Sequence, residues 1–112
     1  MVITLCQDFA FVSATGQSFS FPWVSFPAEF KNAQIVVLAK SKSGGNFTVT
    51  VQTTWDTDSV ATVGSVVTVS AVATQIQDVA TGLGPMIRLN LGNSSGSDAF
   101  SIISVYVTPK SE

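Results

Sequence analysis

Apolar and polar residues alternate strictly in the middle of the chain, over residues 46–55 with the sequence NFTVTVQTTW. The odd positions are mostly apolar and comprise Phe47, Val49, Val51, Thr53 and Trp55. Successive side chains of a strand point to opposite faces, so this period of two predicts a strand with one buried face. The opposite face presents Thr48, Thr50 and Gln52 without any charge, although Lys and Glu are common at solvated positions.

Similar short segments recur along the rest of the chain, separated by residues that favour turns. They predict strands over residues 2–6, 9–14, 18–24, 34–42, 65–74, 86–92 and 99–109. The connections between them are predicted to be a bend over 25–33, a hairpin turn over 43–46, turns over 56–59 and 93–98, and a loop over 75–85. Pro22 cannot donate to a sheet ladder, so the strand over 18–24 is expected to lie at an edge or to end there. No window of eleven or more residues has the helical period.

The strand count and spacing predict the fold class. Short strands at even intervals, with no helix between them, are typical of an all-β sandwich or barrel. We therefore expect residues 1–112 to form a single antiparallel two-sheet sandwich, immunoglobulin-like or jelly-roll, with about eight strands.

The last predicted strand, over residues 99–109, is apolar on both faces. One face carries Phe100, Ile102 and Tyr106, and the other carries Ile103, Val105 and Val107. A strand that is apolar on both faces of a single two-layer domain requires cover from outside that domain.

These two uncharged surfaces are the candidate interfaces of the chain. Uncharged Thr and Gln side chains are cheaper to desolvate than Lys or Glu, so they pack readily against a neighbouring protein. We therefore predict an interface with another subunit that involves Thr48, Thr50, Gln52 and Tyr106. The alternative for the Thr-rich face is simple exposure to solvent, because Thr is a good strand former.

Composition strengthens the case for association. Charged residues make up 11% of the 112 residues, against about 25% in an average domain. The mean hydropathy of +0.42 argues against a disordered chain, and the net charge of −2 favours association. The five basic residues are scattered, so no stripe for nucleic acid is expected. The longest apolar runs are too short to cross a membrane.

The residue types needed for common catalytic chemistry are missing or isolated. The chain has no His, and Cys6 is its one cysteine, so neither Cys–His catalysis nor an internal disulfide is available. We expect Cys6 to be a small buried hydrophobic residue. No nucleophile, phosphate-binding or dinucleotide motif occurs. The sequence therefore predicts no enzyme, no catalytic residue and no cofactor.

Asp56 and Asp58 lie two residues apart in the segment DTDS and could supply part of a calcium site. A dedicated calcium loop also needs a glycine and a spaced bidentate Glu, both of which this segment lacks. Aspartates in turns commonly accept hydrogen bonds from nearby backbone N–H groups. We therefore interpret this segment as a turn and predict no metal ligand.

Trp23 and Trp55 are candidates for a sugar-binding platform, since exposed aromatic rings can stack on sugar rings. Both tryptophans nevertheless share the apolar parity of their predicted strands, and Trp23 is expected on the same face as Phe19 and Phe21. A position in the core or at its rim is the favoured interpretation, because aromatic side chains gain most from burial.

Two segments together resemble small β-sandwich virion proteins of tailed bacteriophages. The segments are QIVVLAKSKSGGNFTVTVQTTWDT and GLGPMIRLNLGNSSGSDAFSIISVYV, and the resemblance covers residues 34–107. The matching residues are Gln52, Trp55, Pro85, Ile87, Arg88 and Leu89. Proteins of this type include capsid decoration, or cement, proteins. The resemblance implies a structural role and carries over no catalytic or ligand-binding residue.

The sequence thus predicts a non-catalytic virion structural protein, most specifically a capsid decoration protein that binds and stabilises the outer phage head. The expected partners are the major capsid protein and further copies of this chain, forming a homo-oligomer on the particle, with no nucleic acid and no membrane. The N-terminus lacks the basic region of a signal peptide, so we expect synthesis in the host cytoplasm and a final location in the virion. The alternatives are a tail or baseplate accessory protein and a carbohydrate-binding β-sandwich module.

Overall fold

The computed structural model describes residues 2–13, 17–27, 29–30, 32–79, 83–93 and 97–110. Within these residues the chain forms nine strands and no helix. The strands are β1 (Ile3–Ser13), β2 (Ser18–Ser20), β3 (Val24–Ser25), β4 (Asn32–Gly44), β5 (Phe47–Thr54), β6 (Val60–Val69), β7 (Ala73–Val79), β8 (Met86–Gly92) and β9 (Ala99–Lys110).

The strands form two antiparallel sheets, as the sequence predicts. The four-stranded sheet has the order β1-β9-β4-β7, and the five-stranded sheet has the order β2-β8-β5-β6 with β3 also paired to β8. Pairing is nested: the first strand pairs with the last, β2 and β3 with the second last, β4 with β7, and β5 with β6. This nesting, with β2 and β3 as one interrupted strand, is the jelly-roll arrangement rather than the immunoglobulin-like one.

The core lies between the sheets and is built from the alternating positions of the long strands. In β5 the odd positions from 47 to 53 are buried and the even positions from 48 to 52 are half-buried, so the predicted parity is confirmed. The rings of Phe11 and Phe47 lie with centroids 4.9 Å apart and link the sheets. The most deeply buried side chains include Ile35, Val37, Phe47, Val49, Ile87, Leu89, Leu91, Ile103, Val105 and Val107.

The predicted strands over 34–42, 86–92 and 99–109 are confirmed as β4, β8 and β9, and β4 is central in its sheet. The predicted hairpin over 43–46 is wrong, because β4 and β5 belong to different sheets. Gly44 has a φ of 75°, which suits glycine, and the N–H of Gly45 donates to the carbonyl of Asp98 at 2.7 Å. These residues turn the chain from one sheet to the other.

The two predicted N-terminal strands are one continuous strand, β1. Its register with β9 shifts between Thr4 and Cys6 and again between Cys6 and Phe9, and Asp8 adopts a positive φ of 50°. Such β-bulges insert extra residues into a strand without ending it. Residue 14 of this prediction lies outside the described residues.

The strand predicted over 18–24 is interrupted in the structure. β2 ends at Ser20, two residues before Pro22, and β3 begins at Val24. Both pair with β8 at the sheet edge, which agrees with the expectation for Pro22.

The strand predicted over 65–74 is wrong in its bounds. The chain instead forms β6 and β7, joined by residues 70–72, so part of the predicted loop over 75–85 is strand. The remainder of that loop includes residues 80–82, which lie outside the described residues, as do residues 94–96 of the predicted turn over 93–98.

The β6–β7 connection crosses from one sheet to the other and closes one side of the sandwich. The side-chain amide of Gln77 accepts from the N–H of Ser65 at 3.0 Å and donates to the Ser65 carbonyl at 3.1 Å. Gln75 donates to the carbonyl of Thr68 at 3.2 Å. Glutamine side chains on β7 therefore satisfy part of the free backbone edge of β6.

Candidate interaction surfaces

The outer side of the five-stranded sheet is a polar surface with little charge, which we call the polar face. It contains Thr48, Thr50 and Gln52 of β5 with Arg88 and Asn90 of β8. Thr50 lies opposite Asn90 and Gln52 lies opposite Arg88 in the antiparallel register. All five side chains are half-buried, because their neighbours in the sheet partly cover them.

Hydrogen bonds within the polar face hold its side chains in place. Thr48 Oγ1 donates to the carbonyl of Gly92 at 3.2 Å, and Asn90 Nδ2 donates to Ser20 Oγ at 2.7 Å. These bonds connect β5 and β2 to β8. The resulting surface is ordered before any partner binds, so less side-chain entropy remains to be lost on binding.

Arg88 is fixed on the polar face by two contacts that the sequence did not reveal. Its Nε donates to Gln52 Oε1 at 2.7 Å, and its Cζ lies 4.4 Å from the centroid of the Trp23 ring. A guanidinium over an indole ring is a favourable cation–π arrangement. Trp23 therefore lies half-buried on the outer face over Arg88, and its expected grouping with Phe19 and Phe21 is wrong. The interruption between β2 and β3 ends the alternation on which that grouping depended.

Phe19 and Phe21 lie instead near the gap between the two sheets. Their ring centroids lie 5.7 and 4.9 Å from that of Phe9 on β1. Beside them, between β1 and β2, is a cleft of about 480 Å³ whose lining is mostly apolar. Gln17 and Ser18 are its polar lining residues.

The outer side of the four-stranded sheet is mostly hydrophobic, and we call it the apolar face. Tyr106 lies here, opposite Val36 of β4, which in turn lies opposite Ile76 of β7. Two and three rows further along β9, Ile102 and Phe100 project from the same side. The large side chains of this face are Val12, Val36, Leu38, Ile76, Phe100, Ile102 and Tyr106.

An ion pair lies in the middle of the apolar face. Lys40 Nζ bonds to the carboxylate of Asp8, and this hydrogen bond raises the pKa of Lys40. Both residues occupy bulges, Asp8 in β1 and Lys40 in β4, on either side of β9. Beneath them Ser104 is fully buried, and its Oγ accepts from the N–H of Asp8 at 2.9 Å.

The four predicted interface residues therefore belong to two surfaces. Thr48, Thr50 and Gln52 lie together on the polar face, whereas Tyr106 lies on the opposite side of the sandwich. No single partner surface can contact all four at once on one copy. The contribution of Ile76 to the apolar face was missed because residues 75–85 were predicted to be a loop.

The expectation that Trp55 lies in the core or at its rim is wrong, because its side chain is 57% exposed. β5 ends at Thr54, and Thr53 and Thr54 are both buried, so the alternation stops before Trp55. Thr53 Oγ1 accepts from the N–H of Gly84 at 2.8 Å and donates to the Met86 carbonyl at 2.9 Å. Hydrogen bonding thus explains the burial of Thr53.

The segment after Trp55 is a turn stabilised by Asp56, as interpreted from the sequence. The Oδ1 atom of Asp56 accepts hydrogen bonds from the N–H groups of Asp58 and Ser59 at 2.9 and 2.8 Å. These backbone hydrogen bonds lower the pKa of Asp56, and the bond from Ser59 has the larger effect. Because the carboxylate is used within the turn, this geometry favours a structural role over calcium binding.

Cys6 is buried as expected, and its thiol lies 3.6 Å from the carbonyl of Ile103. Burial raises the pKa of the thiol to about 11, which keeps it protonated and unreactive at neutral pH. Across the described part of the chain, no group of three or more acidic or cysteine side chains could hold a metal ion. No helix long and apolar enough to cross a membrane occurs in the same residues.

Comparisons with known proteins show similarity at the level of structure alone. No family model and no curated protein matches the sequence. The PBSX exported protein XepA aligns over 100% of this chain and 37% of its own length, with a TM-score of 0.65 and 11% identity. A chain of the infectious bursal disease virus Gx strain aligns over 96% of this chain and 32% of its own length, with a TM-score of 0.58 and 15% identity.

A chain of the T13 particle of the same virus aligns over 96% of this chain and 30% of its own length, with a TM-score of 0.55 and 14% identity. This chain thus spans about a third of the length of each of these proteins. At such low identity the likeness establishes the fold, which is one that phage and virus proteins use.

Proposed function

We propose that this chain is a non-catalytic structural protein of a phage virion, and more specifically a decoration protein of the outer capsid. The observation that carries the proposal is the fold, shared over nearly the whole chain with a PBSX protein and with chains of virus particles. A fold alone does not define a function. The proposal therefore also rests on the surfaces of the molecule.

The polar face supplies a surface suited to docking on a capsid. Its threonine, glutamine and asparagine side chains lose less on desolvation than charged groups do. Arg88 adds one cation that Gln52 and Trp23 already orient, and that can pair with a carboxylate of a partner. In this role each copy contacts neighbouring capsid subunits, and repetition over a symmetric lattice turns weak contacts into stable attachment.

The test is the location of the chain in the phage whose genome encodes it. Particles purified by density gradient are probed by immunoblotting and by immunogold electron microscopy with an antibody against the chain. The decoration proposal expects the chain in intact particles, with gold on the heads. Gold confined to tails would support the accessory alternative, and absence of the chain from purified particles would refute a virion role.

A carbohydrate-binding module is the second candidate, because Trp55 is more exposed than a core residue would be. An exposed indole can stack on a sugar ring. The discriminating experiment is a glycan array with the native chain and Trp55→Ala. A clear hit that the substitution removes supports this candidate, whereas an array without hits rejects it.

A further inference from the structure

The apolar face has a chemistry that differs from that of the polar face. Val12, Ile76 and Phe100 are 70%, 61% and 38% exposed. Among the described residues no other part of the chain covers this side of the sheet. Soluble monomers rarely leave large contiguous apolar patches in water, and those they leave commonly mark binding sites.

We propose that the apolar face binds the same face of a second copy of this chain, in a dimer whose two-fold axis runs parallel to β9. The inference rests on the proposed assembly role, but it can be tested on the purified chain without any particle.

The charges of the apolar face indicate that its partner is a second copy of this chain. Asp8 lies on the β1 side of β9 and Lys40 lies on the β4 side, joined above Ser104. A two-fold axis along β9 exchanges these sides, so Asp8 of one copy faces Lys40 of the other. The four charges then alternate in sign, and each gains a second opposite neighbour, which offsets the cost of removing them from water.

The outward apolar residues of β9 are also self-complementary under this axis. Rotation about an axis along β9 keeps the level of each residue along the strand. Tyr106 therefore meets Tyr106 of the second copy, and Val36 on β4 meets Thr4 on β1 of the second copy. At the other end Phe100 and Ile102 meet their own counterparts. On both sides of the central charges, apolar side chains of β9 thus meet the same side chains of the second copy, as an isologous interface requires.

The size of the face is sufficient for a stable dimer. The molecule extends 40 × 28 × 19 Å, and the shortest extent suits two sheets packed about 10 Å apart. The sheet faces are bounded by the two longer extents. A stable interface buries about 800 Å² on each partner, and the 40 × 28 Å outline that bounds the face is larger than this area. Face-to-face packing of two sheets with nearly aligned strands is a common arrangement.

In such a dimer the two polar faces point outward on opposite sides. The contact between copies and the contact with another virion protein then use different sheets. This separation allows the two contacts to be disrupted independently.

The experiment measures the mass of the full chain in solution by sedimentation velocity over a range of concentrations. The native chain is expected to sediment with the mass of two 11.7-kDa chains. Tyr106→Lys places a lysine on each side of the axis and is expected to weaken the dimer at least about 100-fold. Phe100→Lys, which lies on β9 and meets its own counterpart across the axis, is a second variant with the same expected loss if Tyr106→Lys does not fold. The matched control is Thr50→Lys on the polar face, which is expected to remain dimeric.

A native chain that stays monomeric at the highest soluble concentration overturns the inference, and so does a mass of three or more chains. A dimer that survives both apolar-face substitutions but dissociates in Thr50→Lys also overturns it, because the interface would then lie on the polar face. Failure of the virion proposal gives a different result, namely a chain that dimerises in solution but is absent from particles.

Discussion

Gly84 packs so closely against the end of β5 that it leaves no room for a side chain. A Cβ added there would lie 2.9 Å from the carbonyl oxygen of Thr54 and 2.9 Å from ring atoms of Trp55. The exposed ring can shift, but the carbonyl belongs to the backbone. We therefore expect Gly84→Ala to lower the free energy of unfolding by about 1–3 kcal/mol, the usual cost of overpacking. Chemical denaturation measures this change.

The comparison variant for Gly84→Ala is Trp55→Ala. A tryptophan in the core would cost about 3–5 kcal/mol on truncation to alanine. Because Trp55 is mostly exposed, we expect a loss of no more than about 1 kcal/mol. A loss as large as that of a core residue would mean that something covers the ring in solution.

Cys6 gives a prediction for alkaline pH. Burial raises the pKa of its thiol from the usual 9.0 to about 11 in the folded chain, so the folded state favours the protonated form. The corresponding stability is complete below pH 9 and is lost as the pH rises from about 9 to about 11. The melting temperature of the native chain should therefore fall more steeply over this interval than that of Cys6→Ala. Parallel curves for the two proteins would show that the thiol is not buried.

At the scale of elements, the β6–β7 pair depends on glutamine side chains for its closure. Gln77 makes two hydrogen bonds to the backbone of Ser65, whereas Gln75 makes one to Thr68. Gln77→Ala is expected to lower the free energy of unfolding by about 1 kcal/mol and to accelerate amide hydrogen exchange at Ser65. Gln75→Ala is the control, since it leaves both bonds to Ser65 intact. Unchanged exchange at Ser65 in Gln77→Ala would contradict the contact.

The elements that the sequence predicted well are those with an unbroken pattern. β5 and β8 alternate strictly, and β4 and β9 are long apolar strands, so their residues alone predicted them. Prediction failed where the signal is tertiary. The composition of the valine-rich segment over 65–74 favours a strand throughout. The chain turns at residues 70–72 because β6 pairs with β5 and β7 pairs with β4, in different sheets. Residues 43–46 have turn chemistry, but their composition cannot specify whether the next strand joins the same sheet.

At the scale of the whole molecule, nested pairing decides which side chains share a surface. Parity within β5 and β9 correctly separated inward from outward positions, but it could not relate one strand to the other. Thr50 and Tyr106 thus occupy opposite sides of the sandwich, because β5 and β9 belong to different sheets. The candidate interface could be predicted residue by residue, whereas its division into two surfaces depends on the topology.

The division into two surfaces leads to a prediction for the assembled particle. Thr50 lies half-buried on the polar face, opposite Asn90, and its side chain points away from the core. Thr50→Lys should therefore change the free energy of unfolding by no more than about 1 kcal/mol, the range of strand preferences. At an interface the same lysine would be desolvated without a partner, so the occupancy of the Thr50→Lys chain on particles should fall sharply.

The measurement compares the melting temperature of the free chain with its copy number on purified particles. Ser70→Lys is the matched control, because it adds the same charge at an exposed connection between β6 and β7. Normal melting with reduced occupancy in Thr50→Lys alone supports docking through the polar face. Equal occupancy of both variants would mean that the polar face meets only water, since a buried lysine without a partner is costly. A collapse of the melting temperature in Thr50→Lys would instead contradict the outward orientation of Thr50 and the parity of β5.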